Sequence, residues 1–482
     1  APETVALTYG YDGDKNPASR VRFHKLSAYA QDEWNPNEKL KLVAGLRLET
    51  ILFDNQDLMR NQKIYDTDYN GIHVDTGKWP TPKLMFNPRL GFTYDVFGDH
   101  SLKLRGGTGI FTGRLPLVFF TNMPSNAGLV QMVSSATTRY AGGAVNAARS
   151  DLDILNAFAG KFITDSGELL TYLNSLDPNK YPLTVTPEDG TFSGSVAAVD
   201  PDFKMPQVWK TSLALDYALP TEFPLSVTGE VIFNKTINGV RIRDINMKDT
   251  DGFARLNGAD KRHIFPSDYT YNRYSIYYLT NTNKGYGGTA SFQLQTTPVK
   301  GLDISAAYTR TWSKELTGMP GSDASSAFTY IPTVDGPNNP VLHNSSYVTP
   351  DRFYVNLSYR DKGDNHFSIF YTGWRGGYNY SYMYDNDING DNYNYDAIYI
   401  PTKKDYEDEQ VKFASPDDAE RFFAFAAKDA YLSKHMGEYA EAYSVYNPWV
   451  HRVDFHYAHD FKIKVAGTKN VLRLSFDVQN VL

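Results

Sequence analysis

The sequence predicts an all-β chain folded as an antiparallel transmembrane β-barrel, with long extracellular loops that carry short helices. Three observations predict it. Apolar and polar residues alternate in segments of about ten residues, the length of a tilted strand crossing a bilayer. These segments are paired by short polar turns. Connections several times longer separate the pairs, and short and long connections alternate without exception.

Side chains two apart on a strand share a face. In KLKLVAGLRLET, Leu40, Leu42, Leu46 and Leu48 take one face, and Lys41, Val43, Arg47 and Glu49 the other. SLKLRGGTGIF sets Leu102, Leu104 and Ile110 against Lys103, Arg105 and glycines. RFYVNLSYR sets Phe353, Val355, Leu357 and Tyr359 against Tyr354, Asn356, Ser358 and Arg360. VLRLSFDVQNVL sets Leu472, Leu474, Phe476 and Val478 against Arg473, Ser475, Asp477 and Gln479. A soluble sandwich and a membrane barrel both alternate in this way, so the connections must separate them.

Six short turns, Asn35 to Lys39, Phe97 to Ser101, Leu219 to Pro224, Thr297 to Gly301, Arg360 to Asn365 and the longer Asp460 to Asn470, join twelve strands. The long connections run from Phe53 to Met85, Gly113 to Gln207, Thr236 to Lys284, Ser313 to Thr349 and Arg375 to Pro448. Compact soluble domains seldom carry loops beyond about 15 residues. Short periplasmic turns opposite long extracellular loops are the asymmetry of an outer-membrane barrel.

Two loops contain helical patterns. SPDDAERFFAFAAKDAYLSKH offers Ser415 as N-cap, Pro416 at the first helical position and acids in the first turn, with Phe422, Phe425 and Ala426 along one face. SDLDILNAFAGKFI places Leu155, Phe158 and Phe162 on a stripe after an Asp151 cap. Such stripes are expected to pack against their own loops, as helical lids over the barrel mouth.

Composition agrees. The 482 residues carry a net charge of −7, which argues against nucleic acid as a partner. There is no cysteine, so disulfides and thiolate metal sites are excluded, and an oxidising compartment is suited. The N-terminal APETVALTYGYDGDKNP has no basic stretch followed by an apolar run, so it does not read as a signal peptide. No window approaches the roughly 18 consecutive apolar residues of a transmembrane helix. Tyr (35) and Phe (28) are abundant, as they are in barrels with aromatic girdles.

One motif stands out chemically. DNDINGDNYNYD fits a calcium loop: Asp385, Asp387 and Asn389 offer oxygens on alternate residues, Gly390 permits the sharp turn, Asp391 lends a carbonyl, Tyr393 takes the ninth position and Asp396 closes the ring. A hard cation wants six to eight oxygens, and a tightly curled chain can converge them. Asp396 stands where a longer Glu is usual, and no helices flank the loop. The expectation is a structural calcium ion, or a similar cation, in an extracellular loop; the rival reading is a solvated loop tip.

Other motifs carry less. His451, His456 and His459 cannot converge on zinc from one strand, because His456 takes the opposite face. RGGTGIFTG lacks phosphate-loop spacing and reads as lumen-facing glycine within a strand. No nucleophile, base and orienter set is present, so the chain is not read as an enzyme.

The stretches KLSAYAQDEWNPNEKLKLVAGLRLE, NPRLGFTYDV, LKLRGGTGIFTGRLPLVFFTN, SDASSAF, YNYSYMYDNDINGDNYNYDAIYIP, PWVHRVDFHYAHDF and VLRLSFDVQNVL, from about Phe23 to the end, resemble the barrel of Oar-like TonB-dependent outer-membrane transporters of the Bacteroidetes type. The resemblance implies a barrel of about 22 strands whose lumen holds an N-terminal plug. Residues 1–482 are then expected to be a single, partial barrel domain, the later portion of such a transporter. The plug, its TonB box, the carboxypeptidase-regulatory-like domain before it and the extreme C-terminus lie outside the sequence. A partial barrel has two unpaired edges, which residues beyond these would complete.

What the resemblance implies for function is TonB-dependent import across the bacterial outer membrane. Loops capture a substrate, and an inner-membrane TonB complex pulls the plug. Outer-membrane lipid, the TonB complex, and a surface lipoprotein or protein partner are the expected partners. The polar lumen and Tyr-rich loops such as YNYSYMY lean the substrate toward oligopeptide or polypeptide over glycan. The alternatives are a passive channel and a surface barrel with a structural, adhesive or partner-binding role.

Overall fold

The computed structural model describes residues 1–482 except 16, 18–19, 55–57, 140–147, 189, 191–194, 273, 320 and 378–380. Twelve antiparallel strands form one continuous meander: β1 (Phe23–Asn37), β2 (Leu40–Phe53), β3 (Met85–Asp95), β4 (Leu102–Thr112), β5 (Gln207–Ala218), β6 (Leu225–Asp244), β7 (Tyr286–Val299), β8 (Leu302–Glu315), β9 (Asp351–Arg360), β10 (Asn365–Arg375), β11 (Trp449–Val465) and β12 (Thr468–Val478). Each pairs with its neighbours in sequence; β1 and β12 each have one neighbour among the described residues. Short strands in the connections enlarge the sheet to fifteen.

Five of the six expected turns fall where the sequence places them, and local chemistry sets them. Asn37 accepts from the amides of Lys39 and Leu40 at 2.9 and 3.0 Å. Asp361 Oδ1 accepts from Gly363 and Asn365 at 2.8 and 2.9 Å. The sixth is tighter than expected. β11 and β12 pair up to Val465 and Thr468, leaving Ala466 (φ 49°) and Gly467 (φ 81°) as a two-residue turn. Two successive left-handed residues match the twist of a hairpin. Lys462, Lys464 and Lys469, inside the turn expected from Asp460 to Asn470, stay in strand register.

Register fixes the two faces. Leu42, Phe92, Gly106, Leu213, Val231, Ala290 and Arg310 follow one another across β2 to β8 by direct pairing. This is the apolar face, which carries exposed Leu90, Leu213, Val231, Phe292, Ile369 and Leu474 and looks to lipid. Of the glycines expected to face the lumen, Gly106 belongs to the lipid face instead. A Cβ there would lie 2.7 Å from the Phe92 ring and 2.9 Å from the Ser212 carbonyl, so the neighbouring ring needs the space. Gly107 and Gly109 do face the lumen.

The β6–β7 hairpin outgrows the wall. Ile276–Thr282 pairs with β6 from Asp244 to Gly239 in the same register that β7 holds from Lys235 to Leu225, interrupted only at residues 283–285. Val196–Val199 adds a parallel strand beside Ile276–Thr282, and Thr4–Gly10 pairs antiparallel with Gln131–Thr137. No described helix is long and apolar enough to cross a membrane, which for a strand-built wall carries no further meaning.

Candidate functional site

The site divides into a polar lumen wall and a cap above it. Across β4, β5 and β6, the Arg105 guanidinium spans Asp216 (2.9 Å) and Glu230 (3.3 Å). On β2, Glu49 is nearly buried between Arg47 (3.0 Å) and Lys25 (3.4 Å). Towards the short turns, Arg473 grips Asp460 through Nε and Nη2 at 2.6 and 2.7 Å, and His366 Nε2 lies 3.0 Å from the same carboxylate. The backbone ladders join the strands, and these ion pairs match opposite charges on the lumen face. The three β11 histidines are engaged separately, His451 with Tyr371, His456 with Asp477 and His459 with Asn365.

The cap is built from all five long connections. Its largest core joins Trp79 of the first, Phe119, Phe120 and Phe203 of the second, Phe265 and Tyr277 of the third and Phe328 of the fourth, with Tyr393 of the fifth packed against it. The second and fifth connections also carry apolar clusters of their own, and the shared core ties the connections to one another. Asp244, at the tip of β6, is buried and accepts from the amides of Ile276 (2.8 Å) and Asn246 (3.0 Å). The Asn338 side chain clamps the Asp244 backbone, accepting from its N–H at 2.9 Å and donating to its carbonyl at 2.7 Å. Burial pushes the Asp244 carboxyl above the usual range.

Both expected helices form, with shifted details. Pro416–Ala426 is capped by Ser415 Oγ, which accepts from Asp418 N, and its buried face is Ala419, Phe423 and Ala426; Phe425 is 56% exposed. Positions four and seven after Ala419 share a helical face, which Phe425 misses. The helix packs on its own loop, with Ala426 against Ile400, Leu432 and Ala440. Arg149–Ala157 starts from Ala148, so Asp151 is no cap: it is buried in the first turn and pairs with Lys180. Ile154, Leu155 and Phe158 face the core, whereas Phe162 lies past the helix and is 92% exposed. A further helix, Ser166–Leu176, is capped by Asp165.

The acidic loop curls as its spacing suggests. Asp387 accepts from the amides of Gly390 (2.7 Å) and Asn392 (2.9 Å), and Gly390 takes φ 85°. Asn389, Asp391 and Asp396 are buried, with Asn389 Nδ2 3.0 Å from Asp396 Oδ1; Asp385 stays at the surface, and Tyr393 turns into the cap core. Burial, then the charges of Asp396 and Asp387, push the Asp391 carboxyl up to about 7. Burial raises Asp396 to about 6 against the pull of Arg262. Among the described residues, no three acidic or histidine side chains already converge at metal-binding distance.

A residue with no motif around it supplies charge instead. Arg262, from the third connection, is fully buried and reaches Asp396 (3.1 Å), Asp260 (3.0 Å) and the Ala397 carbonyl (2.6 Å). Its guanidinium also sits over the rings of Tyr384 and Tyr439. Tyr378 and Tyr380 of the Tyr-rich stretch lie outside the described residues.

A strand wall with a lipid face, an ion-paired lumen face and one-sided long connections defines an integral outer-membrane barrel. Residues 6–482 match the family model described as outer membrane beta barrel domain; the chain belongs to that family, and its place is the bacterial outer membrane.

Among solved structures, the chain is similar to the copper transporter OprC (12% identity, TM-score 0.40, covering 96% of this chain and 44% of that one). It is also similar to a mutant of the ferric enterobactin receptor PfeA from Pseudomonas aeruginosa (10%, 0.43, 95% and 39%) and to the FrpB iron transporter from Neisseria meningitidis (9%, 0.40, 96% and 42%). It therefore spans less than half the length of these three. Likeness at this level assigns it no substrate. No curated protein matches the chain.

Proposed function

We propose that the chain is the barrel portion of a TonB-dependent transporter of the Oar-like type that imports a substrate, by preference oligopeptide or polypeptide, across the outer membrane. The observation that carries the reading is the pairing of a mixed-charge lumen wall with one folded cap made from every long connection. A passive porin needs an open mouth. A cap consolidated by a shared aromatic core suits selective capture followed by energised release.

On this reading residues 1–482 contribute wall and cap, and the plug that TonB pulls comes from outside them. Lipid surrounds the wall, and a surface lipoprotein or other protein partner would meet the cap. The test is uptake of a labelled peptide mixture by cells expressing the full-length protein, with and without TonB. Loss of uptake without TonB supports the reading. Uptake that persists unchanged marks a passive channel, and no uptake alongside stable capture of a surface protein favours the adhesive alternative.

Calcium is a separate part of the proposal. The ion would draw on the residues that the loop spacing singles out, Asp385, Asp387, Asn389, the Asp391 carbonyl, Tyr393 and Asp396, and its charge would favour the ionised Asp391 carboxylate that burial, then the charges of Asp396 and Asp387, disfavours.

A further inference from the structure

We propose that the lumen wall near the mouth holds a site for a peptide C-terminus, in which Arg352 binds the terminal carboxylate and Trp374 and Phe370 receive a bulky terminal side chain. This deepens the transport reading and rests on it.

Arg352, on β9, pairs directly with Trp374 on β10; one row further from the mouth Thr372 pairs with Arg452 on β11, and in the next row Phe370 pairs with Asp454. All of these residues have lumen-face parity, so they form a contiguous patch with lateral neighbours about 5 Å apart. They line a cavity of about 440 Å³ together with Thr349, where the fourth connection ends. Such a volume lies within the range of small-ligand pockets, about 300 to 1,000 Å³.

Charge gives the site its sign. Arg452 is matched by Asp454 at 2.9 Å, and Arg47, Arg105 and Arg473 on the same wall face carboxylates. The Arg352 side chain has no ion pair or hydrogen bond among the described residues and is exposed to the cavity. The patch therefore keeps one positive charge unmatched. A guanidinium presents a planar fork that suits a carboxylate.

Shape supplies the second requirement. The Phe370 ring is fixed edge-on to Tyr354, with centroids 4.8 Å apart and planes at 70°. Trp374 stands beside Arg352 at the upper rim. A ligand whose carboxylate meets Arg352 brings the side chain of the same residue against these rings, whereas an anion without an apolar part would leave them wet.

The experiment uses the purified full-length protein and two probes, N-acetyl-glycyl-phenylalanine with a free carboxylate and its C-terminal amide, titrated calorimetrically. The acid is expected to bind at least tenfold more tightly than the amide. Arg352→Gln should bring the acid to the level of the amide, and Trp374→Leu should weaken both. Heat-modifiable migration on gels confirms that the variants fold. Equal binding of acid and amide, binding indifferent to Arg352→Gln, or no binding because a plug covers the wall overturns the site. TonB-dependent uptake with no preference for the acid would defeat the site alone; TonB-independent uptake would defeat the transport reading whatever the probes do.

Discussion

Arg262 and Asp396 lie 134 residues apart in sequence and meet inside the cap, with Nη1 3.1 Å from Oδ1 and both side chains buried. The pair ties the third connection to the acidic loop of the fifth. Removing one partner of a buried pair costs about 3 to 5 kcal/mol, because the other charge is left in a poor solvent. Arg262→Met is therefore expected to open the region around residues 384–397 to protease while leaving the strand wall intact. Arg262→Lys should fall between, since an ammonium cannot serve Asp260, Asp396 and a carbonyl in one plane. Mass spectrometry of the first cleavage products gives the answer.

Acid should steady the same loop. The Asp391 and Asp396 carboxyls are raised to about 7 and about 6, so the folded loop binds their protons more tightly than an open loop does. That stabilisation is complete below about pH 4 and is lost as pH rises through 6 to 7. In chelator, amide exchange of residues 384–397, corrected for the intrinsic rate, is expected to be several-fold more protected at pH 5 than at pH 7.5. The reverse slope would mean that both carboxylates are held ionised.

Calcium has its own signature. Asp385→Ala combined with Asp387→Ala should raise protease sensitivity across residues 376–400 and remove any effect of EDTA there. Equal cleavage of the unaltered protein in calcium and in chelator would overturn the calcium site and leave the loop's acids to partners within the chain such as Arg262.

The faces of the wall can be read by charge insertion. Leu213 looks to lipid and Ser212 to the lumen, one residue apart on β5. Leu213→Arg should cost about 2 to 4 kcal/mol of folding stability in vesicles, the penalty of a charge near the bilayer midplane. Ser212→Arg should cost much less. Denaturant titrations of both variants would test the assigned register, because a slip by one residue exchanges the two results.

Local pattern made the wall legible. Alternation around Leu40, Leu102, Phe353 and Leu472 set strand and face, because a strand's environment repeats every second residue, and short polar segments such as Asn35 to Lys39 and Arg360 to Asn365 marked turns. The cap was opaque for the converse reason. Its core gathers Trp79, Phe120, Phe265 and Phe328 from four separate connections, and nothing near any of them in sequence announces the others. Arg262 shows the same limit: the acidic loop drew attention as a cation site, yet its protein counter-charge came from a distant segment with no motif. Phe423 rather than Phe425 was buried because the tertiary partners of a helix set its rotation, and a stripe of adjacent aromatics leaves that choice open.

The absence of cysteine allows one measurement to address the whole arrangement, because every introduced thiol is unique. Phe425, exposed in the fifth long connection, and Lys362, in the short turn between β9 and β10, would each be changed to cysteine in the full-length protein. Whole cells would then be treated with a bulky maleimide that does not cross the outer membrane. A barrel with its cap outside predicts labelling of Phe425→Cys on intact cells and of Lys362→Cys only after the membrane is permeabilised. Labelling of Lys362→Cys on intact cells, with Phe425→Cys protected, would contradict the orientation on which the account of capture and import stands.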